Sequence, residues 1–249
     1  MRLWALDLDG TLIQRDGTIS GADRAAVGAA LARGDRVILA TGRAFAGSVA
    51  VARELDLHGP IIVTTGGQTI DIDSEAAMEE RRLDLALARE VLAFCRERGY
   101  AASAFRDLGR DVRWVVAPAE WRRTPVLDPD LPESLTEAPE QVVVLGEAAV
   151  LAVMSSFPRA HILPLPNPQR PVAAHVLHPE ATKGQALLRL AARLGLAASQ
   201  LAAVGDSAND VSMLRAAGHG FAVTGCPPEV AAAAGAGIVG SVAEAMAGA

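Results

Sequence analysis

The chain has 249 residues, and at roughly 150 residues per domain that length suits two modest domains or one core with a large insertion. Hydrophobic residues make up 51% and charged residues 21%, which excludes an intrinsically disordered chain. The net charge is −6 and no run of Arg exceeds two, which argues against a dedicated nucleic-acid binder.

The N-terminal third alternates strands and helices. Leu3, Trp4, Ala5 and Leu6 form a short apolar run ending at Asp7, as a buried parallel strand would. Residues 22–33 carry a helix pattern closed by Gly34. Residues 36–40 read as a second strand, 45–57 as a second helix, and 61–63 as a third strand running into Thr64, Thr65, Gly66 and Gly67. This order implies right-handed crossovers and a parallel sheet. The middle is less regular. It holds an amphipathic helix at 83–98 and strands near 102–106 and 112–116. A strand at 141–145, a helix at 147–157 and a strand at 161–165 follow. The C-terminal third returns to alternation, with strands at 173–177, 201–204 and 220–223 and helices at 183–194 and 209–217. The expected architecture is a doubly wound, mostly parallel α/β sheet built from residues 1–72 and 173–249. An α+β unit, residues 73–172, is inserted into it.

Other features narrow the class. The apolar start is interrupted by Asp7, unlike a signal peptide. The uncharged stretch 230–243 carries three glycines and falls short of the roughly 20 residues of a membrane span. Cys95 and Cys226 lie far apart without zinc-like spacing, so they read as free thiols in a reducing cytoplasm. Ala accounts for 50 residues and aromatics for only 4%, so the core is aliphatic. The basic residues are 22 Arg and a single Lys, Lys183. That count fits compositional drift. It also fits a position that needs a compact ammonium rather than a planar guanidinium.

Open α/β sheets bind ligands at the carboxyl ends of their strands. The first strand is followed by Asp7-Leu8-Asp9-Gly10-Thr11-Leu12, the second by Thr41-Gly42-Arg43, and the third by Thr65-Gly66-Gly67. The strand ending at Val204 is followed by Gly205-Asp206-Ser207-Ala208-Asn209-Asp210. Asp7, Asp9, Asp206 and Asp210 therefore converge on one edge, where like charges need compensation. A hard divalent cation, Mg²⁺, fits oxygen ligands of this kind. Thr41-Gly42 and Lys183-Gly184 each stand between a strand and a helix and suit a phosphate. Mg²⁺, phosphate and a spare carboxylate point to phosphoryl transfer. One Asp can attack phosphorus, and a carboxyl two residues on can move the proton.

These motifs resemble those of the haloacid dehalogenase superfamily of aspartate-nucleophile phosphatases. The matching segments are Asp7 to Leu12, Thr41, Lys183 within Ala181-Thr182-Lys183-Gly184-Gln185-Ala186, and Gly205 to Asp210. The resemblance implies a nucleophile at Asp7 and a general acid/base at Asp9, with Thr41 and Lys183 on the phosphoryl oxygens. It implies metal binding by Asp7, the Asp9 carbonyl and Asp206. Asp210 would orient a metal-bound water or the lysine, and Asn209 would support the phosphate. The metal candidates are thus Asp7, Asp9, Asp206 and Asp210. The substrate and phosphate candidates are Thr41, Gly42, Arg43, Gly66, Gly67, Lys183 and Asn209.

Thr11 to Thr41 is a step of only 30 residues, and Thr41 to Lys183 a step of 142. The insertion therefore follows the second motif, as in Cof-like sugar-phosphate phosphatases and their sucrose-phosphate and mannosyl-3-phosphoglycerate phosphatase cousins. The resemblance implies an inserted cap that closes over the site, excludes water and sets specificity. Its usual Asn-Gly after the third strand is replaced by Gly66-Gly67 with Thr65 before it, and its usual Asn-Ala by Cys226-Pro227. The expected protein is a Mg²⁺-dependent phosphatase of a small phosphorylated metabolite, a sugar phosphate, without nucleic-acid or membrane partners. A phosphomutase and an inactive binding module are the competing classes.

Several residues carry two readings. Arg43 is either solvated or in contact with substrate. His161, His175 and His178 are poorly spaced for a metal and read as structural or surface groups. Cys226 reads as a small buried apolar residue. Arg122 and Arg123 beside Trp121 read as a solvated face, with contact to an anionic substrate as the alternative.

Overall fold

Four apolar residues, all buried, make β1 (Leu3–Leu6), the centre of the first sheet. A computed structural model describes residues 1–14, 16–118, 124–165 and 172–248. Trp121, Arg122 and Arg123 lie outside these described residues. The chain divides into two units, residues 1–80 with 180–249 and residues 81–179.

The first unit begins with β1, α1 (Gly21–Ala32), β2 (Arg36–Leu39) and α2 (Val49–Glu54). The hydroxyl of Ser20 accepts the Asp23 N–H at the start of α1, and the amide of Gly34 closes the far end on Leu31. The helix expected at 45–57 is shorter, a single 3₁₀ turn at Phe45–Gly47 followed by α2. Next come β3 (Pro60–Val63), β4 (Gln68–Asp71) and β5 (Ala77–Glu80), an antiparallel sheet.

The second unit runs through α3 (Leu85–Glu97), β6 (Ala101–Arg106), β7 (Asp111–Val116), β8 (Val126–Leu127) and α4 (Leu131–Ser134). It continues with β9 (Gln141–Leu145), α5 (Glu147–Ser156), β10 (His161–Leu165) and β11 (Ala173–Leu177). Its six strands take the order β10-β11-β9-β6-β7-β8. Ala88, Val91, Leu92 and Cys95 recur at helical spacing on α3. They pack with Ala102, Ala104, Val142, Val144, Ala174 and Val176 from alternate positions of three strands.

The chain then returns to the first unit with α6 (Lys183–Arg193), β12 (Leu201–Gly205), α7 (Val211–Ala216), β13 (His219–Val223), α8 (Pro228–Ala231), β14 (Gly237–Val239) and α9 (Val242–Gly248). The five strands β14-β13-β12-β1-β2 are all parallel. A single bridge from Ala40 to Ile62 sets β3 beside β2.

Two boundaries differ from the sequence reading. The segment at 173–177 was expected as a strand of the parallel core. It is β11, antiparallel to both β9 and β10 in the second unit. A five-residue apolar run forms a strand in either setting, and its partners alone decide which sheet receives it. At the other end β4 and β5 pair back onto β3, which keeps residues up to 80 in the first unit. Among the described residues no helix is long and apolar enough to cross a membrane.

Candidate active site

Sheet order places the site. β1 lies between β2 and β12, and the chain leaves β1 toward β2 but returns to β12 on the opposite side. Such a reversal opens a crevice at the strand ends. Asp7 follows β1, Thr41 follows β2, Asp206 follows β12, and Lys183 opens α6.

Lys183 is fully buried, with its Nζ donating to Asp7 Oδ1 and to Asp210 Oδ1, each at 2.6 Å. The other oxygen of Asp210 accepts the Asp206 and Ser207 amides at 3.1 and 3.0 Å and the Ser207 hydroxyl at 3.2 Å. Both oxygens of Asp210 are therefore engaged, one on the lysine and one in stitching its own loop. The Thr11 hydroxyl donates to Asp206 Oδ1 at 3.3 Å, which ties the β1 loop to the β12 loop. Gly10 makes that approach possible. Its φ is +90°, and a Cβ there would lie 2.2 Å from Asp206 Oδ2.

Carboxylate oxygens of Asp7, Asp206 and Asp210 lie within 4.8 Å of one another. Burial, together with the negative charge of Asp210, pushes the Asp7 carboxyl from the ordinary 3.8 up to about 8, against the pull of Lys183. The same two causes push Asp206 up to about 6. Burial alone would lower the Lys183 value, but Asp210 and Asp7 outweigh it and raise it. Three acidic groups thus surround one buried cation, which is bonded to two of them. An all-oxygen donor set with excess negative charge fits a hard divalent ion such as Mg²⁺.

Asp9 stands apart from this group. Its carboxylate is 60% exposed and takes a two-pronged bond from Arg43, Nε to Oδ2 at 2.7 Å and Nη2 to Oδ1 at 2.6 Å. That fork raises the Arg43 value further above its usual range. Nη1 of Arg43 also donates to the Gly47 carbonyl at 3.1 Å, so Arg43 is not a freely solvated side chain. The side chain of Asp9 is occupied by Arg43, and Asp9 is not among the three acidic residues whose carboxylates group together.

Thr41 is buried, and its hydroxyl accepts the Arg43 amide at 3.1 Å. Asn209 is held by the Ser207 hydroxyl on its Oδ1 at 2.6 Å, while its Nδ2 lies 3.3 Å from the point a Cβ on Gly42 would occupy. Gly66 presses against the Thr182–Lys183 backbone, where a Cβ would come within 2.3 Å of the Thr182 carbonyl. Its neighbour Gly67 is also buried and leads into β4. The metal and phosphate candidates therefore all fall in the first unit, with Lys183 bonded to Asp7 and Asp210 and the carboxylates of Asp7, Asp206 and Asp210 close together. Sequence reasoning assigned no role to Ser207, Thr11 or Thr65. The Thr11 hydroxyl links two motif loops and the Ser207 hydroxyl braces its own, and the only local signal for them was position within the Asp-rich turns.

The remaining candidates are structural. His161 meets the His178 carbonyl through Nδ1 at 3.0 Å. Burial lowers the His175 value to about 4, which keeps the ring neutral. Among the described residues the three histidines do not group as metal ligands. Cys95 is buried in the α3 packing. Cys226 is half-buried rather than buried, and it lines a pocket with Gly10, Thr11 and Asp206.

Comparison with known proteins agrees with this geometry. The haloacid dehalogenase-like hydrolase family matches residues 4–119 and 167–245. A phosphoglycolate phosphatase from Halobacterium salinarum (strain ATCC 29341 / DSM 671 / R1) is 32% identical over 214 residues, covering 84% of this chain and 80% of that protein. Phosphatase YwpJ from Bacillus subtilis (strain 168) is 28% identical over 262 residues, covering 90% and 89%. A solved haloacid dehalogenase-like hydrolase from Bacteroides thetaiotaomicron superposes with a TM-score of 0.83 at 23% identity, covering 99% of this chain and 98% of that one. A solved HAD subclass IIB sugar phosphatase gives 0.81 at 21%, covering 98% and 94%. With its motif residues gathered at the sheet edge, the chain belongs to the haloacid dehalogenase-like hydrolase family as one of its phosphatases.

Proposed function

We propose that the protein is a Mg²⁺-dependent phosphatase that hydrolyses a small phosphorylated metabolite, a sugar phosphate, through an aspartyl-phosphate at Asp7. The observation that carries this reading is the buried Lys183 ammonium, 2.6 Å from both Asp7 and Asp210. It holds the nucleophile beside a positive charge that substrate phosphate can share.

Asp7 and Asp206 would hold the metal, with the Asp9 carbonyl. When bound, the ion supplies charge neutralisation for the phosphoryl group. Lys183 and the Thr41 hydroxyl bind phosphoryl oxygens, and Asp210 orients Lys183. An Asp7 oxygen attacks phosphorus and the bond from phosphorus to the leaving oxygen breaks, with the proton for that oxygen coming from Asp9. Asp9 then takes a proton from water, which attacks phosphorus, frees Asp7 and releases inorganic phosphate. The Arg43 fork holds Asp9 between turnovers and opens when Asp9 carries the proton. The inserted unit acts as the specificity domain, and the two free thiols suit a reducing cytoplasm.

A second substrate reading, 2-phosphoglycolate, is favoured by the Halobacterium salinarum relative, 32% identical over most of the chain. Phosphate release with Mg²⁺ from a panel of hexose phosphates, pentose phosphates and 2-phosphoglycolate tests both. The highest kcat/KM on a hexose or pentose phosphate supports the first reading, and on 2-phosphoglycolate the second. No release from any phosphomonoester, p-nitrophenyl phosphate included, overturns the phosphatase mechanism.

A further inference from the structure

The turn between β3 and β4 holds a threonine that the motifs do not account for. Thr65 is only 2% exposed, and among the described residues its hydroxyl has no hydrogen-bond partner. A buried hydroxyl without a partner is unfavourable, so such a group calls for an explanation. Its backbone is also unusual. Thr65 has φ 56° and ψ 25°, in the left-handed region that a β-branched residue rarely adopts.

The surroundings impose that conformation. The Thr65 amide donates to the Thr41 carbonyl at 3.0 Å, and the Thr64 amide to the Arg43 carbonyl at 2.8 Å. On the other side Gly66 is wedged against the Thr182–Lys183 backbone. The turn is thus stitched between the Thr41 loop and the start of α6. Its hydroxyl lies 3.5 Å from the point where a Cβ on Gly42 would stand, next to the Asn209 amide at 3.3 Å from the same point. The Asn209 carbonyl is held by Ser207, so its NH₂ group is the end presented to Gly42. Two hydrogen-bond donors from different loops therefore face one small space above a glycine, beside Thr41.

We propose that the Thr65 hydroxyl is a phosphoryl-oxygen ligand, acting with Thr41 and Asn209 around Gly42. The assignment rests on the phosphatase reading above and adds a residue to it. Bound phosphate supplies the acceptor that the buried hydroxyl lacks, and the strained turn aims the hydroxyl at it.

The test uses Thr65→Ala and Thr65→Ser in the full chain with Mg²⁺. Competitive inhibition by inorganic phosphate is measured beside KM and kcat for the best phosphomonoester. Thr65→Ala is expected to weaken phosphate inhibition and raise KM together by about three- to ten-fold, the worth of one neutral hydrogen bond. Thr65→Ser is expected to restore both. Phosphate has no leaving group, so a rise in KM with unchanged phosphate inhibition overturns the assignment in favour of a leaving-group contact. Unchanged KM and unchanged inhibition overturn it in favour of a turn residue alone. Thr65→Asn separates strain from binding, because Asn tolerates the left-handed region. It is expected to raise the melting temperature without matching the inhibition constant of wild type, and a wild-type constant in that variant counts against a hydroxyl ligand. If wild-type protein releases no phosphate from any ester, the phosphatase mechanism fails. If wild type is active and Thr65→Ala equals it, only the Thr65 role fails.

Discussion

Two ion clusters in the first unit use the same chemistry in opposite surroundings. Lys183 is buried between Asp7 and Asp210, whereas Arg43 grips the exposed carboxylate of Asp9. Bond lengths are alike, 2.6 Å on the lysine and 2.6 to 2.7 Å on the arginine. Their consequences are not. Inside the protein the one ammonium cannot be removed without leaving two buried carboxylates uncompensated. At the surface, water and salt screen the pair, and its net worth is about 0 to 1 kcal/mol. The buried cluster is thus committed to one arrangement, while the exposed fork can open, which the proposed mechanism needs if Asp9 is to move a proton.

The largest expected effect is on the buried side. Asp7→Asn is expected to lower kcat by at least about a thousandfold, because the amide cannot form the covalent intermediate. Circular dichroism is expected to match wild type, and normal turnover in this variant would remove Asp7 as nucleophile. Next is an exchange of cations. Lys183→Arg forces a planar fork into a fully buried slot shaped for an ammonium, and is expected to cost about 1 to 3 kcal/mol of stability. Its kcat/KM is expected to fall about a hundredfold or more. The mirror change, Arg43→Lys, is expected to leave the melting temperature within a few degrees and lower turnover only about tenfold. Equal losses from the two exchanges, read by thermal melting and steady-state kinetics, would erase the contrast.

Asp9→Asn sharpens the exposed side. Loss of an acid is expected to slow alkyl phosphates by about 10² to 10⁴. The effect on p-nitrophenyl phosphate, whose leaving group needs little help, is expected to be much smaller. A uniform loss across leaving groups would argue against a proton role for Asp9.

The smallest effect is the pH dependence of metal stabilisation. Asp7 and Asp206 are raised from 3.8 to about 8 and about 6 in the folded protein. A raised carboxyl stabilises the metal-free fold most below its unfolded value, and that contribution is lost as pH climbs through the folded value. The metal-free protein is therefore expected to lose stability between about pH 4 and 8. Mg²⁺ competes with the same protons. Its gain in melting temperature is expected to be larger at pH 8 than at pH 5 at the same Mg²⁺ concentration. A gain independent of pH would place the ion away from these carboxylates.

The residues of the candidate site were legible because each sits in a local pattern. Asp7 ends an apolar strand, and Thr182 accepts the Gln185 amide to cap the helix that Lys183 begins. The lone lysine was informative for a related reason, since a chain that uses Arg elsewhere kept an ammonium in a slot with no exposure. Thr65 was not legible. The same left-handed turn recurs at Asp107, Leu108 and Gly109 in the β6–β7 hairpin, so hairpin geometry alone does not mark a site. There the Leu108 amide is taken by Glu140, and the turn is not fully buried.

By itself, then, the amino-acid order determined the strands and helices around the motifs and the carboxylates at the strand ends. These depend on neighbours within a few residues, through side-chain periodicity, capping and the stop imposed by glycine. Tertiary structure decided the rest. It moved β11 to the sheet of the second unit and kept β4 and β5 in the first unit. It set Lys183 on Asp210 and turned Asp9 toward Arg43. It also pressed Thr65 between two loops. Strand partners and ion partners lie tens to hundreds of residues apart, and no local pattern encodes which of several suitable groups will meet.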